Sequence, residues 1–336
     1  MQLKHFGWKS DSSHLPCQGT LGRVALSSHE HFLVWTERGE VQTVASGSLR
    51  HQKTIWPCVG DWVVLRDDAV IIDVLPRHTQ LSRKRPGTGI GEQILAANID
   101  VLFIVSGLDD DYNSRRLERY LVLAHESRAR PVVVLNKADL RSDYRTAVEE
   151  TARIAEGASV IAISALFGWG IDALLSMVSA GETAALMGSS GAGKSTILNR
   201  LLREERQQTY SVRESDSRGR HTTTRRELFL MPEGWLLMDL PGLRELQLWT
   251  DPEQVDQTFA DIMELAKQCR FRDCTHQHEP DCAVRQADLD PDRVQNFHKM
   301  KRELAYLDRQ LDFNLVRNEK KRFKALERAY RRHPKH

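Results

Sequence analysis

An unbroken phosphate-binding pattern, Gly-Ser-Ser-Gly-Ala-Gly-Lys-Ser, occupies residues 188–195 of this 336-residue chain. Its glycines permit positive φ angles and keep side chains away, so successive N–H groups can point at phosphate oxygens. Lys194 would reach the β- and γ-phosphates and act in catalysis, and Ser195 would bind Mg²⁺. The pattern predicts a nucleoside triphosphate site formed by Gly188, Ser189, Ser190, Gly191, Ala192, Gly193, Lys194, Ser195 and Thr196.

A base-recognition motif follows an apolar run and reads Asn136-Lys137-Ala138-Asp139. Ligands of α/β proteins bind at the carboxyl ends of the strands, which is where this motif lies. The Asp139 carboxylate can accept from N1–H and the exocyclic amine of guanine, whereas adenine offers neither donor in that geometry. One such bidentate contact discriminates by ~1–3 kcal/mol. Asn136 would steady the loop and the Lys137 stem would pack against the ring, so the motif favours guanine.

Ser164 and Ala165 follow another apolar run, where a backbone N–H would donate to the guanine oxygen. This pair and the base-recognition motif both precede the phosphate-binding loop, although in ordinary small GTPases they follow it. Six apolar runs are present, enough for a complete sheet, and they begin at Val101, Pro131, Val160, Ala184, Glu227 and Trp235. The chain therefore predicts a GTPase domain with circularly permuted motifs.

The third nucleotide motif is Asp-Leu-Pro-Gly at residues 239–242. Asp239 would hold Mg²⁺ through water, and the Gly242 N–H would contact the γ-phosphate. One threonine of residues 222–224 would complete the Mg²⁺ shell. Thr223 is taken as the candidate, although the sequence does not distinguish it from Thr222 and Thr224. These threonines end a polar stretch that begins at Glu204. Ordering of residues 204–224 by the γ-phosphate would be the switch.

Leu243 occupies the position after this motif where many GTPases have a water-orienting Gln. An aliphatic side chain cannot hydrogen-bond to water, so unaided hydrolysis should be slow. His221 is the candidate for orienting the attacking water. The alternative is a histidine that contacts RNA or solvent.

Three of the five cysteines lie close together, in the pattern Cys269-x4-Cys274-x-His276-x5-Cys282. In a reducing compartment such a cluster indicates metal binding rather than disulfides. Three thiolates and one imidazole suit a tetrahedral Zn²⁺ site, which would be structural because protein ligands fill all four positions. His278 is the alternative fourth ligand.

The elements that position these motifs fall into three groups. Five short strands, which favour a small β-barrel with the OB-fold as the best candidate, are expected at Arg23–Leu26, Phe32–Thr36, Val41–Ala45, Trp62–Leu65 and Val70–Val74. After an expected linker from Arg77 to Ala97, apolar runs alternate with helical patterns, which predicts a three-layer α/β sheet. The C-terminal region predicts helices, the longest with an apolar packing stripe at Val294, Phe297, Met300, Leu304, Leu307 and Leu311.

The composition is that of an ordinary globular protein, with 40% hydrophobic and 28% charged residues. No apolar run approaches the ~18 residues of a membrane span, and the N-terminus has no apolar signal segment, so a cytoplasmic protein is expected. The net charge of +2 hides nine Lys or Arg against two Glu between Arg317 and His336. Such a tail is typical of nucleic-acid contact or of a solvated helix face.

The permuted order, the phosphate-binding loop, Arg-His-Thr-Thr-Thr at 220–224, Asp-Leu-Pro-Gly and the Cys₃His cluster together resemble the ribosome small-subunit-dependent GTPase A family. The resemblance extends over nearly the whole chain, including the barrel and the stretch from Asn113 to Tyr120. It implies an OB-fold, a permuted GTPase domain and a zinc domain, which are expected at residues 1–78, 79–245 and 246–336. It also implies that the same nucleotide-binding and zinc-binding residues are used.

Members of that family act in late maturation of the small ribosomal subunit, which stimulates their GTPase activity. The resemblance therefore implies a GTPase, expected to be monomeric, that binds GTP with Mg²⁺, the 30S subunit and 16S rRNA, and uses hydrolysis as a release step. One alternative is an ATP-using P-loop enzyme such as a kinase, against which Asp139 argues. Another is a nucleotide-stabilised RNA-binding module, or a paralogue with a different RNA partner and little hydrolysis.

Overall fold

The computed structural model describes residues 2–9, 19–28, 30–52, 55–85, 91–155, 157–202, 226–240 and 249–332, with side chains at all of these except 51–52 and 312–332. The chain divides into two compact units, one of Met1–Arg83 with Gln93–Gln247 and one of Lys84–Glu92 with Leu248–His336. Within the described residues, every helix is too short or too polar to cross a bilayer.

The predicted barrel is built from β1 (Thr20–Ser28), β2 (His31–Thr36), β3 (Gly39–Ala45), β4 (Trp62–Arg66) and β5 (Val70–Val74). The strands pair in the closed order β1-β2-β3-β5-β4-β1, which is that of an OB-fold, so this prediction is confirmed. Helix α1 (Gly47–Gln52) follows β3. The barrel is filled by alternate, mainly β-branched and aromatic side chains, which include Val24, Phe32, Val34, Val63, Leu65 and Ile71.

The stretch from Arg77 to Ala97, expected to be a linker, contains two paired strands, β6 (Gln80–Lys84) and β7 (Glu92–Ala97). Leu81 and Leu95 are buried. The expectation was wrong because both strands are short and a polar stretch with glycines at 87, 89 and 91 separates them, so the segment as a whole has the composition of a linker.

The six predicted strands of the α/β sheet are present as β8 (Val101–Gly107), β9 (Arg130–Asn136), β10 (Ser159–Ala162), β11 (Thr183–Gly188), β12 (Arg226–Leu230) and β13 (Leu236–Asp239). Their order is β10-β9-β8-β11-β13-β12, and all neighbours are parallel except β13 and β12. The helices of this region are α2 (Ser114–Ser127), α3 (Tyr144–Ile154), α4 (Ile171–Leu175) and α5 (Lys194–Leu202). Both faces of β8 are buried, as in a strand between two helix layers.

A β-bulge in β1 connects the barrel to the α/β sheet. The register of β1 against β2 shifts between Val24 and Leu26. A bulge bends its strand, and beyond this one Leu26 and Ser27 pair with Glu227 and Arg226 of β12. The barrel and the α/β sheet are therefore continuous within the first unit.

The second unit contains α6 (Pro252–Thr258), α7 (Ala260–Ala266), α8 (Ala283–Gln286) and α9 (Pro291–Arg332). The stripe predicted on α9 is a packing surface, since Phe297, Met300, Leu304 and Leu307 are buried. Arg293 of α9 donates two hydrogen bonds of 2.8 Å to the Asp261 carboxylate of α7. This bidentate pair fixes the two helices against each other.

Candidate functional site

The carboxyl ends of β10, β9 and β11 carry the predicted base and phosphate loops, and β8 lies between β9 and β11 in the sheet. Ser164 and Ala165 follow β10, Asn136 ends β9, and Gly188 ends β11. Because these strands are parallel, their carboxyl ends lie at one edge of the sheet. Motifs in permuted order along the chain are thus neighbours in space.

Asn136 joins three of the predicted loops through its side-chain amide. Its Nδ2 donates to the Ala192 carbonyl oxygen at 3.0 Å, and its Oδ1 accepts from the Ala165 N–H at 3.0 Å. Asn136 is buried, so both bonds are shielded from water. Gly193 has a φ of +93°, and a Cβ there would lie 2.1 Å from Asn136 Nδ2, so only glycine fits. The amide holds the phosphate-binding loop and both base loops in one arrangement.

Lys194, at the start of α5, is directed back into the phosphate-binding loop. Its Nζ donates to the carbonyl oxygens of Gly188 at 2.8 Å and Ser189 at 2.6 Å. Burial lowers the pKa of Lys194, and the carboxylates of Asp239 and Asp111 oppose that shift. The loop therefore holds a cation through polar contacts that phosphate oxygens can replace.

Asp239 ends β13, beside the strand that leads into the phosphate-binding loop. It lies opposite Leu186 of β11 and Glu227 of β12. Burial raises the pKa of Asp239, Lys194 opposes that shift, and Glu227 adds to it. A bound divalent cation would stabilise the ionised carboxylate here, which suits the predicted contact with Mg²⁺.

The other predicted nucleotide residues differ in exposure. The buried ones are Ala138, Ser164, Ala165, Gly188, Ser189 and Ala192. The half-buried ones are Lys137, Gly193 and Thr196, and the exposed ones are Asp139, Ser190, Gly191 and Ser195. The side chain predicted to read the base is therefore accessible to a ligand. His221, Thr223 and Gly242 lie outside the described residues, and their roles stay predictions.

Two carboxylates that follow β8 belong to this site and were not predicted. Asp109 accepts from Lys137 Nζ at 2.5 Å, and this bond is the main cause of its lowered pKa. Asp111 accepts from Ser189 Oγ at 2.6 Å and forms an ion pair with Arg116 at 2.9 Å. The available signal was their position after the apolar run between the two motif-bearing strands.

Arg200 connects the helix after the phosphate-binding loop to the loop after β10. Its Nε donates to the Ala165 carbonyl oxygen at 3.1 Å, and its guanidinium also donates to the Leu166 carbonyl oxygen. No sequence pattern indicated this contact, because it depends on how α5 packs against the loop.

The predicted metal ligands meet in the second unit, where the ligand atoms of Cys269, Cys274, His276 and Cys282 all lie within 4.8 Å of one another. The Sγ atoms of Cys269 and Cys282 are 3.8 Å apart, and His276 Nδ1 lies 3.5 and 3.4 Å from them. Tetrahedral zinc, with bonds of ~2.3 Å to sulfur and ~2.1 Å to nitrogen, requires edges of ~3.8 and ~3.6 Å. Burial lowers the pKa of His276, which favours the neutral ring that binds metals. The donor set therefore fits a tetrahedral metal ion.

Glu279 organises the metal-binding loop and was not predicted. Its carboxylate accepts from the N–H groups of Thr275 at 2.8 Å and of Gln277 and His278 at 3.1 Å. A hydrogen bond from the Thr275 hydroxyl, followed by these backbone bonds, holds the pKa of Glu279 well below its usual range. His278, the alternative fourth ligand, is not among the clustered ligand atoms.

Comparison with known proteins identifies relatives along nearly the whole chain. Residues 74–249 match the RsgA GTPase family. The small ribosomal subunit biogenesis GTPase RsgA of Opitutus terrae is 46% identical over 330 residues, which cover 92% of this chain and 90% of that protein. The protein of the same name from Syntrophotalea carbinolica is 43% identical and covers 99% of this chain and 98% of its own length.

A solved structure, that of YjeQ from Thermotoga maritima, is similar with a TM-score of 0.63 and 27% identity. The match covers 85% of this chain and 98% of the YjeQ chain. The permuted motifs that meet at Asn136, the barrel and the Cys₃His cluster agree with these relationships, and the chain belongs to the RsgA GTPase family.

Proposed function

We propose that this chain is a GTPase that binds the 30S ribosomal subunit and uses GTP hydrolysis as a checkpoint and release step in late maturation of that subunit. The observation that carries the enzymatic part is the pair of hydrogen bonds made by Asn136, which hold the base and phosphate loops together. Family membership and the names of the relatives, small ribosomal subunit biogenesis GTPases, support the biological part.

In this proposal the guanine base binds beside β9 and β10. The exposed Asp139 carboxylate accepts from N1–H and the exocyclic amine, and the Lys137 stem covers the ring. The bond from Lys137 Nζ to Asp109 restrains the position of that side chain. One backbone N–H of the loop that contains Ser164 and Ala165 donates to the guanine oxygen, while Arg200 restrains that loop.

The phosphates bind in the loop at residues 188–195, with Thr196 following. Successive N–H groups and Lys194 contact phosphate oxygens, and the N-terminus of α5 adds its positive end. Ser195, Asp239 and Thr223 would hold Mg²⁺, which neutralises charge that develops on the phosphates. The Gly242 N–H contacts the γ-phosphate, and His221 orients the attacking water.

We propose that the metal is a single structural Zn²⁺. Its ligands, Cys269, Cys274, His276 and Cys282, fill four positions and leave none open for chemistry. The domain limits at residues 1–78, 79–245 and 246–336 also remain a proposal.

The RNA-binding part of the proposal rests on fold and charge. An OB-fold barrel offers a surface that binds oligonucleotides, and the C-terminal stretch carries nine Lys or Arg against two Glu. We propose that both contact 16S rRNA phosphates, that the protein acts as a monomer in the cytoplasm, and that the GTP-ordered switch sets the strength of the contact.

Phosphate release from GTP, measured with and without purified 30S subunits, tests this function. We expect slow release alone and a large stimulation by 30S subunits, with 50S subunits as the matched control. A Lys194→Ala variant should abolish phosphate release both with and without 30S subunits. Equal rates with and without 30S subunits would contradict the proposal.

Retention of the protein on 30S subunits tests the gating. It should be strong with a non-hydrolysable GTP analogue, weaker with GDP, and steeply salt-dependent in both states. Equal retention with the GTP analogue and with GDP would contradict the proposed release step.

A further inference from the structure

The loop between β8 and α2 contacts the phosphate-binding loop through one side chain. Ser189 Oγ donates to Asp111 Oδ2 at 2.6 Å, and the two residues are 78 positions apart in the chain. Ser189 is buried, and its carbonyl oxygen accepts from Lys194 Nζ at 2.6 Å. Ser189 therefore connects Asp111 to the lysine that is predicted to bind phosphate oxygens.

Asp111 and Asn136 hold the phosphate-binding loop at two different points. Asp111 contacts Ser189 near the start of the loop, whereas Asn136 Nδ2 donates to the carbonyl oxygen of Ala192 further along it. Residues 190–191, which lie between these points, are exposed. Because both points are fixed, the loop has fewer conformations to lose when phosphates bind, and such preorganisation raises affinity.

The carboxylate of Asp111 is a negative group beside a loop that binds polyphosphate. Its charge, together with that of Asp239, opposes the lowering of the Lys194 pKa by burial. Like charges near the site repel phosphate oxygens. In the proposed site Mg²⁺ balances the charge of Asp239, so Asp111 requires a cation from the protein.

Arg116 in the first turn of α2 provides that cation. Its Nη2 lies 2.9 Å from Asp111 Oδ1 and also donates to the Asp111 carbonyl oxygen. Its backbone N–H donates to the Asn113 side chain, which caps the helix. The side chains of Arg116 and Asp111 are 32% and 39% exposed, so salt screens the pair in part and its effect on binding should be modest.

We propose that Asp111 is a positioning residue for the nucleotide phosphates and that Arg116 is its counter-ion, an inference that rests on the proposed function for the identity of the nucleotide. Asp111 holds Ser189, and with it the start of the phosphate-binding loop. Arg116 holds the carboxylate and balances its charge, so that a triphosphate can bind nearby. Both side chains act through the loop and the local charge rather than by contact with the nucleotide.

The hydrogen bond is tested by titrating the full-length, zinc-loaded chain with a fluorescent GDP analogue in the presence of Mg²⁺. Asp111→Ala and Ser189→Ala should each weaken GDP binding by about fivefold, because each removes one partner of the bond. In the Asp111→Ala background, Ser189→Ala should cost less than about twofold, since its partner is already absent. Asp110→Ala, which removes the neighbouring exposed carboxylate, is the matched control and should keep the affinity.

The charge balance is tested by the ratio of affinities for a non-hydrolysable GTP analogue and for GDP. Arg116→Gln keeps a donor for Asp111 but removes the cation, so the ratio should fall by about threefold. Asp111→Asn keeps an acceptor for Ser189 but removes the anion, so the ratio should rise. Both shifts should shrink at high salt. Arg128→Gln, which removes an exposed cation at the other end of α2, is the matched control and should not change the ratio.

Urea unfolding of each variant without nucleotide separates a positioning role from a purely structural one. The proposal would be wrong if Asp111→Ala lowered the free energy of unfolding but bound GDP as well as Asp110→Ala does. Ratios that moved in the same direction in Arg116→Gln and Asp111→Asn, or that did not move, would exclude the charge balance. An undiminished effect of Ser189→Ala in the Asp111→Ala background would show that the hydroxyl acts elsewhere.

Stimulation of GTP hydrolysis by 30S subunits, measured on the same samples, separates this inference from the proposed function. Absent stimulation of the unsubstituted chain, with the Asp111 effects intact, would contradict the ribosomal role but leave the positioning role. Intact stimulation, with Asp111→Ala equal to Asp110→Ala in GDP affinity, would contradict the positioning role alone. Failure of the unsubstituted chain to bind GDP would contradict both.

Discussion

The side-chain Nδ2 of Asn136 donates to the carbonyl oxygen of Ala192, 56 residues further along the chain, at 3.0 Å. The same amide accepts from the Ala165 N–H. Permutation changes the order of these loops along the chain. They still lie at one edge of the sheet, because they follow the carboxyl ends of parallel strands. One buried amide thus links the phosphate-binding loop and both base loops despite their altered order in the chain.

Asn136→Ala should weaken guanine-nucleotide binding by at least tenfold and lower the free energy of unfolding by ~1–3 kcal/mol. The substitution leaves the buried Ala165 N–H without its partner. Titration with a fluorescent GDP analogue and denaturant unfolding measure the two effects. The control is Asn113→Ala, which removes the side-chain cap of α2. It should lower the free energy of unfolding by ~1 kcal/mol and leave GDP affinity intact. Equal GDP affinity in both variants would show that Asn136 does not position the loops.

Asp139→Ala should lower the affinity for GDP by ~5- to 150-fold, because the bidentate contact with guanine is lost. The affinity for ATP should not change. Competition of GTP and ATP for bound labelled GDP measures the ratio. The control is Asp143→Ala, which removes a nearby carboxylate that pairs with Arg141. If Asp139→Ala still preferred GTP over ATP, another group would have to distinguish guanine from adenine.

His221→Ala should abolish 30S-stimulated turnover while leaving GTP affinity nearly intact, because in the proposed mechanism the histidine acts on the attacking water rather than on the bound nucleotide. Single-turnover phosphate release with 30S subunits, alongside GTP titration, separates the two. Unchanged stimulated turnover would remove His221 from the mechanism.

Cys274→Ser should reduce bound zinc well below one ion per chain and lower the helix content of the second unit, since metal binding and local folding are coupled. Nucleotide binding should persist, because the motifs lie in the first unit. Elemental analysis and circular dichroism provide the readouts. His278→Ala, which changes a histidine outside the ligand group, should retain the metal. Loss of zinc from His278→Ala instead would reassign the fourth ligand.

Asp100→Asn should destabilise the fold more at pH 6 than near pH 2.5. Burial alone would raise the pKa of Asp100, but hydrogen bonds from His78, Lys9 and the Thr183 N–H outweigh it and lower the pKa to about 2. A lowered folded-state pKa stabilises the fold above the ordinary value of 3.8, and that stabilisation is lost as pH falls toward 2. The expected cost is ~2 kcal/mol at pH 6 and below ~1 kcal/mol near pH 2.5.

Urea unfolding at both pH values measures the Asp100→Asn cost. Asp110→Asn, at an exposed carboxylate, is the control and should show little cost at either pH. An equal cost of Asp100→Asn at both pH values would mean that its charge contributes nothing.

Features that depend on neighbouring residues were readable from the amino-acid order alone. Alternating or continuous apolar runs predicted the five barrel strands and the six strands of the α/β sheet, because burial of one or both strand faces imposes a period on the chain. Local spacing likewise predicted the phosphate-binding loop and the Cys₃His cluster, whose four ligand atoms do converge. The paired strands β6 and β7 were not predicted because they are short and flank a glycine-containing stretch typical of a linker.

Contacts between distant segments were decided only by the tertiary structure. The partners of Asp109, Asp111 and Arg200 depend on which strands become neighbours and on how α5 packs. The join between barrel and sheet is the pairing of Leu26 and Ser27 of β1 with β12, just beyond the bulge in β1. A hydrogen bond between residues far apart in the chain leaves no period or spacing in the sequence, since its geometry is set by the packing of everything between them.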